Sequence, residues 1–387
     1  MIPSKICTFL GFVLDSENFQ ITLPTEKITR LKSEIQKFSN VNRCKIREFA
    51  RLVGTLVSVC PAVEYGWLYT KLFERIKYLN LKSDDNYDRY MNLPVILQPD
   101  LKWWYAALHK PFSKIREDCY SLEIFSDASN TGWGAACGED RASGLWSPQD
   151  RTQHINFLEI QAAFFGLKVF AKELSNCQIL LRVDNTTAIS YINRMGGVQF
   201  PHLTDITKQL WQWCEARALF VTASYISSLD NKTADAESRR VHPDIEWELA
   251  DWAFQKIVLN FGTPQLDLFA SRINNKCADY VSWHRDPDAM TINAFTINWA
   301  EYFFYAFPPF SVILKMLRKI LSDKAKGVVV VPLWPTQPWY PLFKNLLVSD
   351  LIYFEADCNP IVSFHSSNHN IHTKITLVAG ILCGQRG

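Results

Sequence analysis

Residues 121–136 have the sequence SLEIFSDASNTGWGAA, in which Leu122 and Ile124 alternate with polar side chains. Such alternation predicts a half-buried β-strand, and the run from Asn130 to Gly134 supplies the residues of a tight turn into a second strand. Asp127 falls where the first strand ends. A single Asp in that position is usually a turn former, so the meaning of Asp127 depends on whether other acids accompany it.

Three further acids follow at positions where a carboxylate needs a partner or a metal. Glu159 lies on or beside the apolar face of a helix predicted within His154–Leu174, where burying a charge is costly unless it is compensated. Asp184 ends a predicted buried strand, and its alternative role is to cap the helix that follows. Asp235 lies at the start of a short predicted helix.

The four acids and the segments around them resemble the site of type 1 RNase H. The matching segments are FSDAS, FLEIQAA, VDNTTA and N-x-x-A-D-x-x-S-R, in the order strand, hairpin, helix, strand, helix, strand, helix. The resemblance covers roughly residues 120–241 and implies an RNase H-like α/β domain with a mixed five-stranded sheet. It also implies that the catalytic and metal-binding residues are Asp127, Glu159, Asp184 and Asp235.

The resemblance further implies hydrolysis of the RNA strand of an RNA/DNA hybrid. Two Mg²⁺ ions, for which Mn²⁺ can substitute, would activate the attacking water and stabilise the leaving oxygen. Carboxylates suit such hard cations, and the 2′-OH marks the RNA strand. Asp127 would bridge both ions, Glu159 and Asp184 would hold one, and Asp235 would hold the other.

The loop before Asp235 departs from this family. Many type 1 enzymes have a His in that loop, and retroelement relatives often have Tyr-x-Pro-Gly. This chain has Ser227 and Ser228 in place of Pro-Gly, and residues 225–230 contain no His. We therefore expect no proton shuttling by His at this position, and a looser loop.

Composition indicates a folded protein of several domains. The 387 residues predict two to three domains, and 48% hydrophobic against 21% charged residues argues against wholesale disorder. The net charge of +2 means that nucleic-acid binding would need local basic patches. Ten scattered Cys without a CxxC pair predict free thiols and an intracellular location, either cytoplasmic or nuclear. The aliphatic run Val328–Trp334 is too short to span a bilayer, so we expect no membrane partner.

The N-terminal segment resembles the end of a reverse transcriptase. Residues 7–24 predict two strands about a turn, and the FLGF motif at Phe9–Phe12 resembles a primer grip. Residues 1–24 are therefore expected to be a remnant of the palm. No Tyr-x-Asp-Asp motif occurs in the chain, and we expect no DNA polymerase activity from this chain alone.

Residues 25–80 are predicted to be largely helical, within a helical thumb and connection assigned to residues 25–118. The segment IREFARLVGTLVSVCPAVEYG resembles the thumb of gypsy-like and DIRS-type reverse transcriptases, and the segment around Trp103 and Trp104 resembles the connection. Six basic side chains would either contact phosphates or form a solvated helix face, and both alternatives remain open. They are Lys27, Arg30, Lys32, Lys45, Arg47 and Arg51.

After the RNase H-like region, assigned to residues 119–242, strands and helices alternate as in a doubly wound α/β unit. The first helix is predicted over Glu246–Phe261. The segments DLFAS, FYAFPPF and VVVPLWPTQPWYP resemble the adenine-N6-methyltransferase-like domain of DIRS-type elements, which here would occupy residues 243–387. Three aromatic residues would either stack bases or belong to the core, namely Phe310, Trp334 and Trp339.

Two departures argue against methyl transfer. Active amino-methyltransferases have Asp, Asn or Ser before Pro-Pro-aromatic, and here that residue is Phe307, which has no acceptor oxygen. The usual cofactor loop is rich in glycine, and residues 267–273 contain none. We therefore expect no cofactor in this region and no binding of S-adenosylmethionine.

The order thumb, RNase H and methyltransferase-like segment resembles a fragment of a DIRS-type retrotransposon polyprotein. Three functions stay open. The chain would be an endoribonuclease H acting during reverse transcription with the rest of the polyprotein as partner, a catalytically weak nucleic-acid-binding remnant, or an adenine-N6 methyltransferase. The complete set of four acids favours the first, and Ser227 with Ser228 favours the second.

Overall fold

The computed structural model describes residues 4–82, 85–240, 247–363 and 375–385. The chain divides into two compact units. The first comprises residues 1–127, 154–164 and 171–232, and the second comprises residues 128–153, 165–170 and 233–387. The domain boundary predicted between residues 242 and 243 lies outside the described residues.

The N-terminal part of the first unit combines helices with short strands. In chain order the elements are β1 (Ile6–Phe9), β2 (Phe12–Asp15), β3 (Gln20–Thr22), α1 (Thr25–Ser39), β4 (Arg43–Lys45), α2 (Ile46–Val59), α3 (Lys71–Leu81), β5 (Tyr90–Asn92), α4 (Gln98–Ala107) and β6 (Phe112–Lys114). The antiparallel sheet has the order β1-β2-β3-β6, and β4 pairs with β5. Pairing of segments far apart in sequence explains why helical periodicity alone does not predict β4, β5 and β6.

The acid-bearing region follows, with a mixed five-stranded sheet. Its elements are β7 (Leu122–Ala128), β8 (Gly132–Cys137), β9 (Asp140–Leu145), α5 (Ile155–Phe170), β10 (Gln178–Val183), α6 (Thr186–Asn193), α7 (Pro201–Glu215), β11 (Phe220–Tyr225) and α8 (Lys232–Ser238). The sheet order is β11-β10-β7-β8-β9. Strand β10 is parallel to both β7 and β11, whereas β8 and β9 are antiparallel. This confirms the mixed five-stranded sheet that the resemblance implied.

Within the first unit, the N-terminal helices pack against α7 through Glu215. Its two carboxylate oxygens accept hydrogen bonds from the Tyr69 hydroxyl at 2.5 Å and from the Trp103 indole at 2.7 Å. The Tyr69 and Trp103 rings stack with their centroids 3.8 Å apart. The Glu215 carboxylate therefore fixes two aromatic side chains of the N-terminal part. These two residues, Tyr69 and Trp103, are 34 positions apart in the sequence.

A buried ion pair supports the same contact. Lys208 of α7 donates to Asp100 of α4 at 2.7 Å, and Asp100 is buried. Burial raises the pKa of Asp100, while the Lys208 ammonium acts in the opposite direction. A buried carboxylate is costly without such a partner, so removal of Lys208 would leave an uncompensated charge in the contact between α7 and α4.

The second unit contains a larger mixed sheet. Its remaining elements are β12 (Trp247–Leu249), α9 (Asp251–Phe261), β13 (Leu266–Asp267), β14 (Asp279–Ser282), β15 (Thr291–Ile292), β16 (Phe303–Ala306), α10 (Ile313–Asp323), β17 (Lys326–Pro332), α11 (Tyr340–Leu346), β18 (Ile352–Phe354), β19 (Ile361–Ser363) and β20 (Leu377–Cys383). The seven strands have the order β15-β14-β13-β16-β17-β20-β18. The five strands that come first in this order, from β15 through β14, β13 and β16 to β17, are parallel. Strand β20 is antiparallel to both of its neighbours, β17 and β18.

The helix predicted over Glu246–Phe261 is wrong at its start. Glu246 lies outside the described residues, and residues 247–249 form β12, so the helix begins at Asp251. Trp247 and Leu249 pair with Ser363 and Ile361 in β19. This pairing joins segments more than 100 residues apart, which periodicity within one segment does not reveal. None of the described helices is long and apolar enough to cross a membrane.

Candidate active site

Asp127 and Asp184 come together because β7 and β10 are adjacent parallel strands. The register pairs Phe125 of β7 with Arg182 of β10, so the residues two positions further along are Asp127 and Asp184. Both aspartates therefore lie at the same end of the two strands. Asp127 is 5% exposed, and Asp184 is half-buried.

Glu159 of α5 is the third acid of this group. It is 4% exposed, and one carboxylate oxygen from each of Asp127, Glu159 and Asp184 lies within 4.8 Å of the other two. Two of these three carboxylates are buried, and like charges this close repel each other. The acids that the sequence places far apart therefore form a compact, oxygen-rich cluster.

The alternative role of Asp184 as a helix cap is taken by its neighbour. The Asn185 side chain accepts a hydrogen bond from the Ala188 backbone N–H at 2.9 Å, which makes Asn185 the N-cap of α6. The Asn185 amide also donates to Asn156 in the first turn of α5 at 3.0 Å. Asn185 thus satisfies the helix end and links α6 to the helix that carries Glu159, while Asp184 has no capping role.

Ser228 contacts the acid cluster, and the sequence analysis missed this role. Its hydroxyl donates to Asp184 Oδ2 at 2.6 Å. The surrounding turn is held by Ser227, whose hydroxyl donates to Asp230 at 2.6 Å and whose carbonyl accepts from the Asp230 and Asn231 backbones. The loop expected to be loose is a hydrogen-bonded turn, in which the Ser227 backbone carbonyl keeps two donors. The only signal in the sequence was the substitution itself.

Asp235 is placed differently from the other three acids. It lies in α8, its side chain is 43% exposed, and Arg239 one turn later donates to it at 2.8 Å. Among the described residues, the acids whose oxygens gather within 4.8 Å are Asp127, Glu159 and Asp184, and Asp235 is not in that group. Its predicted role as a metal ligand stays a prediction.

The donor set of the cluster fits a hard divalent cation. Three carboxylates supply only oxygen, which Mg²⁺ and Mn²⁺ prefer, and a small number of protein ligands leaves positions for water. A cation would also offset the mutual repulsion of Asp127, Glu159 and Asp184, which their burial strengthens. The cluster can therefore hold a metal ion. Metal binding is the most direct chemistry that its three carboxylates offer.

The second unit also has a buried aspartate at a strand end. Asp267 ends β13, and its two oxygens accept hydrogen bonds from the backbone N–H groups of Phe269 at 3.2 Å and Lys276 at 3.0 Å. Burial raises the pKa of Asp267 to about 7, against the lowering effect of these two donors. The carboxyl group is thus engaged by its own loop.

A cavity of about 210 Å³ lies next to that loop. Phe307, Trp247 and Phe269 are among its aromatic lining residues, and Ser282 and Asn274 are among the polar ones. Phe307 is the residue at the position where active amino-methyltransferases are expected to have an acceptor oxygen. In this structure Phe307 lines the cavity. Of the three aromatic residues with open roles, Trp339 is in the core, and Phe310 and Trp334 pack against it.

The basic side chains of the predicted thumb are partly engaged within the first unit. Arg47 pairs with Asp88 at 3.0 Å, Lys27 lies 4.9 Å from the centre of the Phe12 ring, and Lys32 lies 5.7 Å from that of Tyr105. Contact with phosphates and a solvated helix face both remain open for the group.

The sequence matches no protein-family model and no curated protein. Among solved structures, RNase H1 from the halophilic archaeon Halobacterium salinarum NRC-1 is 17% identical, with a TM-score of 0.25, covering 30% of this chain and 92% of that one. LC11-RNase H1 in complex with an RNA/DNA hybrid is 16% identical, with a TM-score of 0.26, covering 30% and 93%. The foamy viral protease-reverse transcriptase with an RNA/DNA hybrid is 14% identical, with a TM-score of 0.25, covering 63% and 33%.

Proposed function

We propose that this chain is a metal-dependent endoribonuclease that cuts the RNA strand of RNA/DNA hybrids. The observation that carries the proposal is the cluster of Asp127, Glu159 and Asp184, whose oxygens lie within 4.8 Å of one another. Asp235 would be the fourth catalytic acid. Exchange of its Arg239 partner for a cation would be required for that role.

Divalent ions bound here would supply an activated water and stabilise the leaving oxygen of a phosphodiester. The chain's own contribution is to hold three carboxylates in a fixed arrangement on two parallel strands and one helix. Burial of Asp127 and Glu159 keeps bulk water away from two of the three. This arrangement supports hydrolysis better than the acid–base chemistry of a single carboxylate, because three adjacent anions are useful chiefly around a cation.

The substrate and the biological setting rest on the resemblance to type 1 RNase H and DIRS-type elements. We propose that the chain acts on hybrids formed during reverse transcription, inside the cell, with the rest of a retrotransposon polyprotein as partner. The residues expected to be a palm remnant, thumb and connection would then contribute to holding the nucleic acid.

Cleavage of a labelled RNA/DNA hybrid tests the proposal. We expect cutting of the RNA strand with Mg²⁺ or Mn²⁺, none in EDTA, and none by Asp127→Asn protein that retains its circular dichroism spectrum. A matched all-DNA duplex should remain intact. Binding of hybrid without any metal-dependent cutting would instead support the weak nucleic-acid-binding remnant, and the nuclease proposal would be abandoned.

For the second unit we propose a methyltransferase-like architecture without methyl transfer. The observation that favours it is the cavity beside β13, since ligands of open α/β sheets bind at the carboxyl ends of strands where the order reverses. Phe307 lines that cavity and has no oxygen to accept from an amino group. We expect no binding of S-adenosylmethionine in calorimetry at micromolar protein, and clear heat of binding would revive the adenine-N6 methyltransferase alternative.

A further inference from the structure

We propose that Ser228 is a positioning residue of the acid cluster, whose hydroxyl holds the Asp184 carboxylate in the orientation that takes a divalent cation. This inference rests on the proposed function, because it assumes that Asp127, Glu159 and Asp184 bind a metal. It gives a role to a turn in which the type 1 enzymes often have a His and this chain has none.

The contact is short and directed at one carboxylate oxygen. Ser228 Oγ donates its single proton to Asp184 Oδ2 at 2.6 Å, which is at the short end of the range for O–H···O hydrogen bonds. Such a bond restricts rotation of the carboxylate about its Cβ–Cγ bond. The remaining acceptor positions of Asp184 are then presented in one direction rather than several.

The turn that carries Ser228 is anchored beside both aspartates of the cluster. At its start, the Ile226 backbone N–H donates to the carbonyl of Val183, the residue immediately before Asp184. At its end, the buried Asn231 amide donates at 3.0 Å to the carbonyl of Ser126, the residue immediately before Asp127. The position of Ser228 is therefore set by the same two strand ends that position the acids.

This anchoring matters because Ser228 itself is exposed. An exposed hydroxyl on a free loop would exchange its partner for water, and its contribution would be small. A hydroxyl on a turn fixed at both ends loses little freedom when it bonds to Asp184. Groups that orient metal ligands in this way typically contribute about 10–100-fold to metal affinity.

Calorimetric titration of the full chain with Mn²⁺ alone tests the inference without relying on activity. We expect Ser228→Ala to weaken Mn²⁺ binding about tenfold, and Ser228→Thr, which keeps the hydroxyl, to restore most of the affinity. Ser227→Ala is the matched control, because it removes a hydroxyl from the same turn that bonds to Asp230 and not to Asp184. It should change the affinity much less.

The outcomes separate this inference from the proposed function. Unchanged Mn²⁺ affinity in Ser228→Ala, or an equal loss in both serine variants, would overturn the positioning role while leaving a metal site that Asp184→Asn abolishes. If the unmodified chain binds no Mn²⁺ that depends on Asp127 and Asp184, the proposed function and this inference both fail. Tenfold loss confined to Ser228→Ala and rescued by Thr supports it.

Discussion

Asp127 and Asp267 are both buried aspartates at strand ends, and their carboxylates are used in opposite ways. Asp127 of β7 lies with Glu159 and Asp184 in a cluster of acids, whereas both oxygens of Asp267 accept backbone N–H groups of the loop that follows β13. A strand-end aspartate is therefore not a site by itself. It becomes one when other acids converge on it and neighbours such as Asn185 take over the capping of the adjacent helix.

The largest difference between the two regions should appear in catalysis. We expect Asp184→Asn to reduce hybrid cleavage by about a hundredfold to a thousandfold, because it removes one charge from the site where charge develops. Asp267→Asn, an identical change at the other strand end, should leave cleavage close to that of the unmodified chain. Initial rates with a labelled hybrid would be compared for the two variants after circular dichroism shows that both are folded.

This pair of substitutions can also break the comparison. A similar loss in both variants would mean that the asparagine changes act through the stability of the chain rather than through the acid cluster. Retention of full activity by Asp184→Asn would remove the metal site from the proposed mechanism. The melting temperatures of the two variants would show whether a loss of activity follows from a loss of stability.

The pH dependence of stability should report Asp267. Burial raises the pKa of Asp267 to about 7 in the folded protein, from the ordinary value of about 4 in the unfolded chain. Between these values the folded protein binds a proton that the unfolded chain releases, so the free energy of unfolding falls as pH rises from about 4 to about 7. The decrease is on the order of 4 kcal/mol and should level off above pH 7.

Urea unfolding followed by tryptophan fluorescence at several pH values would measure this slope. Asp267→Asn, which cannot ionise, should remove that part of the slope, and the difference between the two curves isolates Asp267 from other titrating groups. Parallel curves for the two proteins would show that Asp267 is already ionised in the folded state. The difference between the two strand-end aspartates, Asp127 and Asp267, would then be smaller than we infer.

The smallest expected effect is on the free energy of unfolding, which the acid cluster itself lowers. Because Asp127, Glu159 and Asp184 repel each other, we expect Glu159→Gln to raise the free energy of unfolding in EDTA by about 1 kcal/mol, a gain typical of relieving strain at an active site. Millimolar Mg²⁺ should reverse the order, since the unmodified chain binds the cation better. A less stable Glu159→Gln protein in EDTA would indicate that neighbouring groups already compensate the charge.

The sequence predicts much of the acid-bearing region because its signals are local. Alternation around Leu122, the buried strand before Asp184 and the helix around Glu159 each lie within one segment, and parallel pairing then brings the acids together. The sequence does not predict Ser228, because a hydroxyl's partner depends on the conformation of a turn rather than on periodicity. It also left open whether Asp184 caps α6, and the hydrogen bond that the Ala188 N–H donates to Asn185 answers that question.

The misplaced start of α9 has a related cause. Residues 247–249 stand next to the helical pattern of α9, and their pairing with β19 makes them a strand. The same holds for β4, β5 and β6 among the N-terminal helices. Local propensity is overridden where a segment finds a distant backbone partner, and a single sequence carries no direct signal of that partner.

The contacts of Glu215 bear on how the acid-bearing region could be separated from the residues before it. A protein cut at residue 119 would keep Glu215 and Lys208 on α7 but lose Tyr69, Trp103 and Asp100, leaving a carboxylate and an ammonium on a surface shaped for aromatic rings. Segments 1–127, 154–164 and 171–232 belong to one compact unit. A cut at residue 119 would therefore remove the partners of Glu215 and Lys208 from the unit that contains them.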